Sequence, residues 1–160
     1  MRDRDPYVVT LVDLLIVWIL DPVDSLPVQF ILGRTYTGTY VYNVGDKIAD
    51  AILYLFVVMN HIYRVGKVGA FEMWFLVLYI YRFVGIFIYI ITDDPIFLVI
   101  FANFVSDTIM IYLFFKYVLH APGPIVWGFT LLSIPLKVAY EAYHHIYYNP
   151  RICGESGCNI

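Results

Sequence analysis

Long apolar runs separated by short polar breakers dominate this chain. Residues 70–91 are apolar apart from Glu72 near the start and Arg82 in the middle. The turn Thr92-Asp93-Asp94 leads into 95–119, whose proline suits a first helical turn behind an acidic side chain. The breaker His120-Ala121-Pro122-Gly123 precedes the run 124–146. A further run, 44–63, starts behind Asn43 as a helix cap and closes at Arg64. A helix of about 20 apolar residues crosses roughly 30 Å of hydrocarbon, and each of these runs is that long. The pattern predicts an all-α, polytopic transmembrane helix bundle with four firm spans.

The run 7–20 is short for a span and carries Asp13. It predicts a short N-terminal apolar helix, spanning or interfacial, that ends at Asp21-Pro22. The leader Met1-Arg2-Asp3-Arg4-Asp5 mixes signs and no small-residue cleavage site follows, which argues against a secretory signal. Residues 21–43 then read as one long connection, with Tyr36, Tyr40 and Tyr42 at headgroup depth. The organisation that follows is a single membrane domain over 1–160. It comprises an N-terminal helix and interfacial loop (1–43), a four-helix core (44–146) and a polar tail (147–160).

Composition changes the picture only by excluding alternatives. A hydrophobic content of 61% and a mean hydropathy of +0.75 lie far above the soluble norm of roughly half apolar. The net charge of −3, with no basic stripe, argues against nucleic acid as a partner. The lipid bilayer is the expected partner, and a homo-oligomer or a larger membrane complex is compatible. Arg64 and Lys67 flank one turn, Lys116 and His120 another, while the turn between them holds only Asp93 and Asp94. By the positive-inside rule, the 64–69 and 120–123 turns face the cytoplasm, and the 92–94 turn and the C-terminus face away.

The candidate chemistry lies in the charges inside the runs. A charge at the bilayer centre costs from about 3 to above 10 kcal/mol, so such groups face one another inside a bundle. Reflection through the 92–94 turn puts Arg82 and Asp107 within about one helical turn in height. The sequence therefore predicts a buried Arg82–Asp107 pair, with Asn103 and Ser106 completing its hydrogen bonds. A second group forms nearer the outer face, at the start of the 44–63 span and the end of the last span. Asp46 and Asp50 share a helix face, as do Lys137 and Glu141, and Glu141 and His145. Glu141 and His144 have the Glu-x-x-His spacing of di-metal bundles, in one copy where such sites use two. Asp46, Asp50, Lys137, Glu141, His144 and His145 are thus a candidate ion or ligand cluster in one cavity, beside a kink expected from Pro135. Asn60 and His61 read as interfacial. Cys153 and Cys158 in the tail favour a disulfide, or idle thiols in a reducing compartment, over a metal or redox pair, because four residues separate them and two thiols make a poor zinc site.

Two resemblances accompany these residues. Asp46-x-x-x-Asp50 resembles the tail of the CDP-alcohol phosphotransferase signature, whose aspartates bind metal in a membrane bundle. The upstream Asp-Gly and Ala-Arg pairs of that signature are absent here, and Gly45 directly precedes Asp46. The stretch Tyr81-Arg82-Phe83-Val84-Gly85-Ile86, then Thr92 and Phe101-Ala102-Asn103-Phe104, is similar to a pattern in an uncharacterised family of small multi-pass membrane proteins. So are Pro135 and Lys137 followed by Glu141 and a histidine four residues on. That likeness covers the C-terminal half and implies a shared bundle without an assigned activity.

Three function classes follow. The first is a bundle with a buried polar interior that handles an ion, a proton or a small polar ligand. The second is a metal-dependent membrane enzyme acting on lipid substrates, and the third is a structural accessory subunit of a membrane complex. No nucleophile motif, phosphate loop or haem-attachment signature is present, and no cofactor follows from the sequence.

Overall fold

Each apolar run folds as a helix, because a backbone in hydrocarbon must satisfy its own hydrogen bonds. The computed structural model describes residues 5–32 and 40–143. The helices are α1 (Pro6–Leu32), α2 (Tyr40–Val65), α3 (Ala70–Thr92), α4 (Ile96–Ile100), α5 (Phe104–Leu113) and α6 (Gly123–Ala142). A π-helical turn over Phe114–Val118 extends α5. No strand occurs among the described residues. Four segments are long and apolar enough to cross a membrane: Val44–Val65, Ala70–Thr92, Ile96–Val118 and Gly123–Ala142. The chain is a polytopic helix bundle, and its span boundaries fall within a few residues of those read from the sequence.

Local chemistry ends the helices where the breakers stand. Gly66 adopts φ +69° and returns its N–H to Ile62 O, the left-handed closure that glycine permits at a helix end. Asp93 closes α3 in the same way, with φ 54° and its N–H on Tyr89 O. Asp94 Oδ1 then accepts the Ile96 N–H and opens α4.

Three elements differ from expectation. α2 starts at Tyr40, so Asn43 lies within the helix and does not cap it. α1 does not stop at Asp21-Pro22 but continues through Pro22 and Pro27 to Leu32. Apolar residues at Leu20, Val23, Leu26 and Phe30 keep a helical spacing across both prolines, so residues 21–32 of the expected 21–43 connection are helical. The span expected over 95–119 is not one helix. It breaks at Phe101–Asn103, between α4 and α5.

α1 runs beside α2 in the opposite direction. Thr10 meets His61, Asp13 meets Asn60 and Arg64, and Val17 shares a pocket with Leu53 and Val57. Leu11, Leu14 and Val17 enter the same core as Tyr54, Val58, Phe75 and Ile109. A second, smaller core gathers Ala51, Ile86, Tyr89 and Leu98 nearer the 92–94 turn. Arg82 and the break at 101–103 lie between these two apolar cores, so the polar groups around the break form a layer across the bundle.

Candidate functional site

The polar layer is built around the helix break. Ending α4 at Ile100 leaves backbone carbonyls without helical partners. Arg82 Nη1 donates to two of them, Leu98 O at 3.1 Å and Phe101 O at 2.8 Å. Tyr81 OH donates to Ile100 O. Two consecutive side chains of α3 thus cap the end of α4. The approach is close because α3 carries Gly85 there: a Cβ at Gly85 would overlap Cβ and Cγ of Phe101. Ala102 is fully buried and Asn103 nearly so. Irregular backbone at membrane depth is tolerated when it is buried in protein in this way.

The far side of the break faces α6. Asn103 N–H points to Glu141 Oε1 at 3.5 Å, the long limit of a hydrogen bond. Lys137 Nζ lies 2.7 Å from Asp107 Oδ2 and 3.3 Å from Glu141 Oε1. Ser106 Oγ contacts both Asn103 O and Asp107 Oδ2, at 3.2 and 3.1 Å. One ammonium therefore holds two carboxylates from two helices, and the Glu141 residue is only 5% exposed.

On the opposite side of Asn103 is a cavity of about 10 Å³, room for about one water. Asp50, Tyr54, Arg82 and Asn103 line it. The Asn103 Oδ1 atom is buried and has no hydrogen-bond partner among the described residues. Lys47, which the sequence reading passed over, bridges Asp46 at 2.7 Å and Asp50 at 3.4 Å.

These positions correct the expected pairings. Arg82 and Asp107 do not pair: Arg82 is drawn to orphan carbonyls and Asp107 to Lys137. A continuous helix over 95–119 was the premise of that pairing, and the break supplies acceptors nearer to the guanidinium. The expected cluster of Asp46, Asp50, Lys137 and Glu141 contains two sets of ion pairs. Asp46 and Asp50 gather on Lys47, and Glu141 joins Lys137 and Asp107, with Asn103 touching both sides. His144 and His145 lie outside the described residues, as do Cys153 and Cys158 with their expected disulfide. Among the described residues, no three His, Cys, Asp or Glu side chains converge as a metal site.

A second polar cluster escaped the sequence reading. His61 is not interfacial but 1% exposed, inside the main core. Its Nδ1 lies 2.7 Å from Thr10 Oγ1, and its Nε2 lies 3.4 Å from Glu72 Oε1. Glu72 also accepts Gly69 N–H at 2.8 Å and Tyr7 OH at 3.0 Å. Phe71 and Phe75 pack edge-on against the imidazole, and Tyr117 stacks on Tyr7. This cluster ties α1, α2 and α3 together beside the 64–69 turn. The available signal was weak: Thr10, His61 and Glu72 are each isolated in sequence, and only α1 docking antiparallel to α2 joins them.

No protein-family model matches the chain, and no curated protein or solved structure shows significant similarity to it.

Proposed function

We propose that this multi-pass bundle handles a proton at the broken span, with Asp50 and Glu141 as exchanging carboxylates and Lys137 and Arg82 as fixed counter-charges. The observation that carries this reading is the position of Asn103. Its backbone N–H is directed to Glu141, and its side chain lines a one-water cavity with Asp50 and Arg82. Ionisable groups inside a membrane bundle are functional candidates by default, and broken spans are where irregular backbone lines ion paths. The cavity's size favours a proton or a water over a larger ligand. In our reading the 64–69 and 120–123 turns face the cytoplasm. The break then lies in the half of the membrane away from it, about 10 Å in from the start of α4.

The test is proton flux into liposomes that enclose a pH-sensitive dye, driven by a potassium diffusion potential. Vesicles holding the protein should acidify faster than empty ones. Glu141→Gln should abolish the excess flux, and Asp50→Asn should reduce it. Flux equal to that of empty vesicles would overturn the reading in favour of an accessory subunit with a structural polar core. That alternative is favoured by the pairing of Lys137 with Asp107 and Glu141 inside the chain.

A further inference from the structure

A groove of about 560 Å³ runs along the outside of the bundle between α1 and α2. That volume falls within the range of roughly 300–1,000 Å³ typical of small-molecule sites. Ile16, Leu53, Phe56, Met59 and Tyr63 form its apolar walls. These side chains are themselves well exposed, Phe56 at 71% and Tyr63 at 85%, so the groove is open along its length. Along α2 it extends from Leu53 to Tyr63. Ten helical residues span about 15 Å, half of the roughly 30 Å hydrocarbon thickness. Its length is therefore that of one acyl chain in one leaflet.

The polar groups of the groove lie at one end only. Asp13 and Asn60 line it there. Asp13 Oδ2 accepts from Asn60 Nδ2 at 3.2 Å and from Arg64 Nη1 at 3.3 Å. Arg64 stands one residue before the end of α2 and of the apolar span Val44–Val65, the position at which basic side chains reach the headgroups of a membrane. Asp13 and Arg64 keep 27% and 34% of their side chains exposed, so the pair is accessible. A guanidinium carries five donors, and one of them is engaged by Asp13.

We propose that this groove binds a phospholipid with a primary-amine headgroup, such as phosphatidylethanolamine. One acyl chain lies along Leu53, Phe56 and Met59. The phosphate is held by Arg64 and the ammonium by Asp13. Such a headgroup carries one negative and one positive group side by side, the complement of the Arg64–Asp13 pair. An ammonium donates hydrogen bonds to a carboxylate, which a quaternary choline cannot do, and an anionic glycerol headgroup offers Asp13 no cation. This site is separate from the broken span and does not depend on the proton reading.

Native mass spectrometry of the detergent-purified full chain tests it, with dioleoyl phosphatidylethanolamine, phosphatidylcholine and phosphatidylglycerol added in equal amounts. The ethanolamine lipid should be retained about tenfold over the other two, the factor one hydrogen bond to a charged group supplies. Asp13→Asn should bring the ethanolamine and choline lipids to parity. Leu53→Trp, which fills the groove without touching a charge, should reduce all adducts and leave their ratio unchanged. Helical content and melting of both variants, followed by circular dichroism, separate loss of binding from loss of fold. Equal retention of the three lipids by the unaltered chain would overturn the proposal. So would no adduct at all, a preference that survives Asp13→Asn in a folded protein, or adducts unaffected by Leu53→Trp.

Discussion

Glu72 Oε1 faces Nε2 of His61 at 3.4 Å without hydrogen-bond geometry, while Thr10 Oγ1 approaches the other ring nitrogen at 2.7 Å. The Thr10 hydroxyl has one proton and two claimants, because Pro6 O also lies 2.8 Å away. If the hydroxyl donates to Pro6 O, the imidazole must donate from Nδ1. A neutral ring would then turn a bare Nε2 toward a carboxylate, so one extra proton must sit between His61 and Glu72. If the hydroxyl donates to Nδ1 instead, Nε2 carries the ring proton on the side that faces Glu72 and no extra proton is needed. The first helical turn of α1 is thereby coupled to the charge of a buried pair.

The first prediction concerns the Tyr7 bond to Glu72. Tyr7→Phe removes one donor from a nearly buried carboxylate and should lower stability by about 1.5–3 kcal/mol, the worth of a hydrogen bond to a charged group. The same change in a Glu72→Gln background should cost less, because the acceptor is then neutral. Unfolding followed by circular dichroism in detergent gives the double-mutant cycle. Equal losses in the two backgrounds would show that the tyrosine does not act through Glu72.

The contrast between the two polar clusters explains what the sequence could disclose. Run length and breakers locate the four spans, because hydrocarbon thickness fixes how many apolar residues a helix needs. Depth in the membrane follows from the same counting, so Arg82, Asp107, Lys137 and Glu141 were recognisable as interior groups. Pairing does not follow from depth. The break at Phe101–Asn103 has no proline or glycine within it, and it redirects Arg82 to backbone carbonyls. Lys137 is four residues from Glu141, so that contact was legible, whereas its bond to Asp107 depends on how α5 and α6 pack. The burial of His61 is not legible locally, because it comes from α1 and α3 together, through Thr10, Phe71 and Phe75, and no local pattern announces that docking.

The second prediction tests the close approach at the break. Gly85→Ala should destabilise by about 1–3 kcal/mol, the usual cost of overpacking, because the new methyl meets Phe101 at its own Cβ and no rotamer change relieves it. Gly128→Ala is the control. Nothing lies within 4 Å of a Cβ built there, so the change should be neutral or stabilising by up to about 1 kcal/mol through helix propensity. Equal behaviour of the two variants in thermal unfolding would mean that α3 and the break do not touch as described.

The third prediction concerns the ammonium between two helices. Lys137→Met leaves Asp107 and Glu141 without their cation and should cost about 3–5 kcal/mol, as removal of one member of a buried pair does. Neutralising both carboxylates in the same chain, with Asp107→Asn and Glu141→Gln, should recover most of that loss. Unfolding midpoints of the single and triple variants check it. A triple variant no more stable than Lys137→Met would show that the lysine contributes through its stem and not through its charge.

The last prediction sets two pairings against each other. Arg82 and Asp107 stand at similar depth, yet each has its own partners: Arg82 bonds Leu98 O and Phe101 O, and Asp107 bonds Lys137 and Ser106. Arg82→Met should orphan two carbonyls in the buried break, at about 1–3 kcal/mol each. Asp107→Asn should have a separate effect through Lys137. With no shared partner, the two losses should add to within about 0.5 kcal/mol. Lys137→Met combined with Asp107→Asn should instead depart from additivity by about 0.5–3 kcal/mol, the range for groups in direct contact. Both cycles are read from the same detergent unfolding assay. Strong coupling of Arg82 with Asp107, together with additivity of Lys137 and Asp107, would reverse the assignment and restore a direct arginine–aspartate pair across a continuous span.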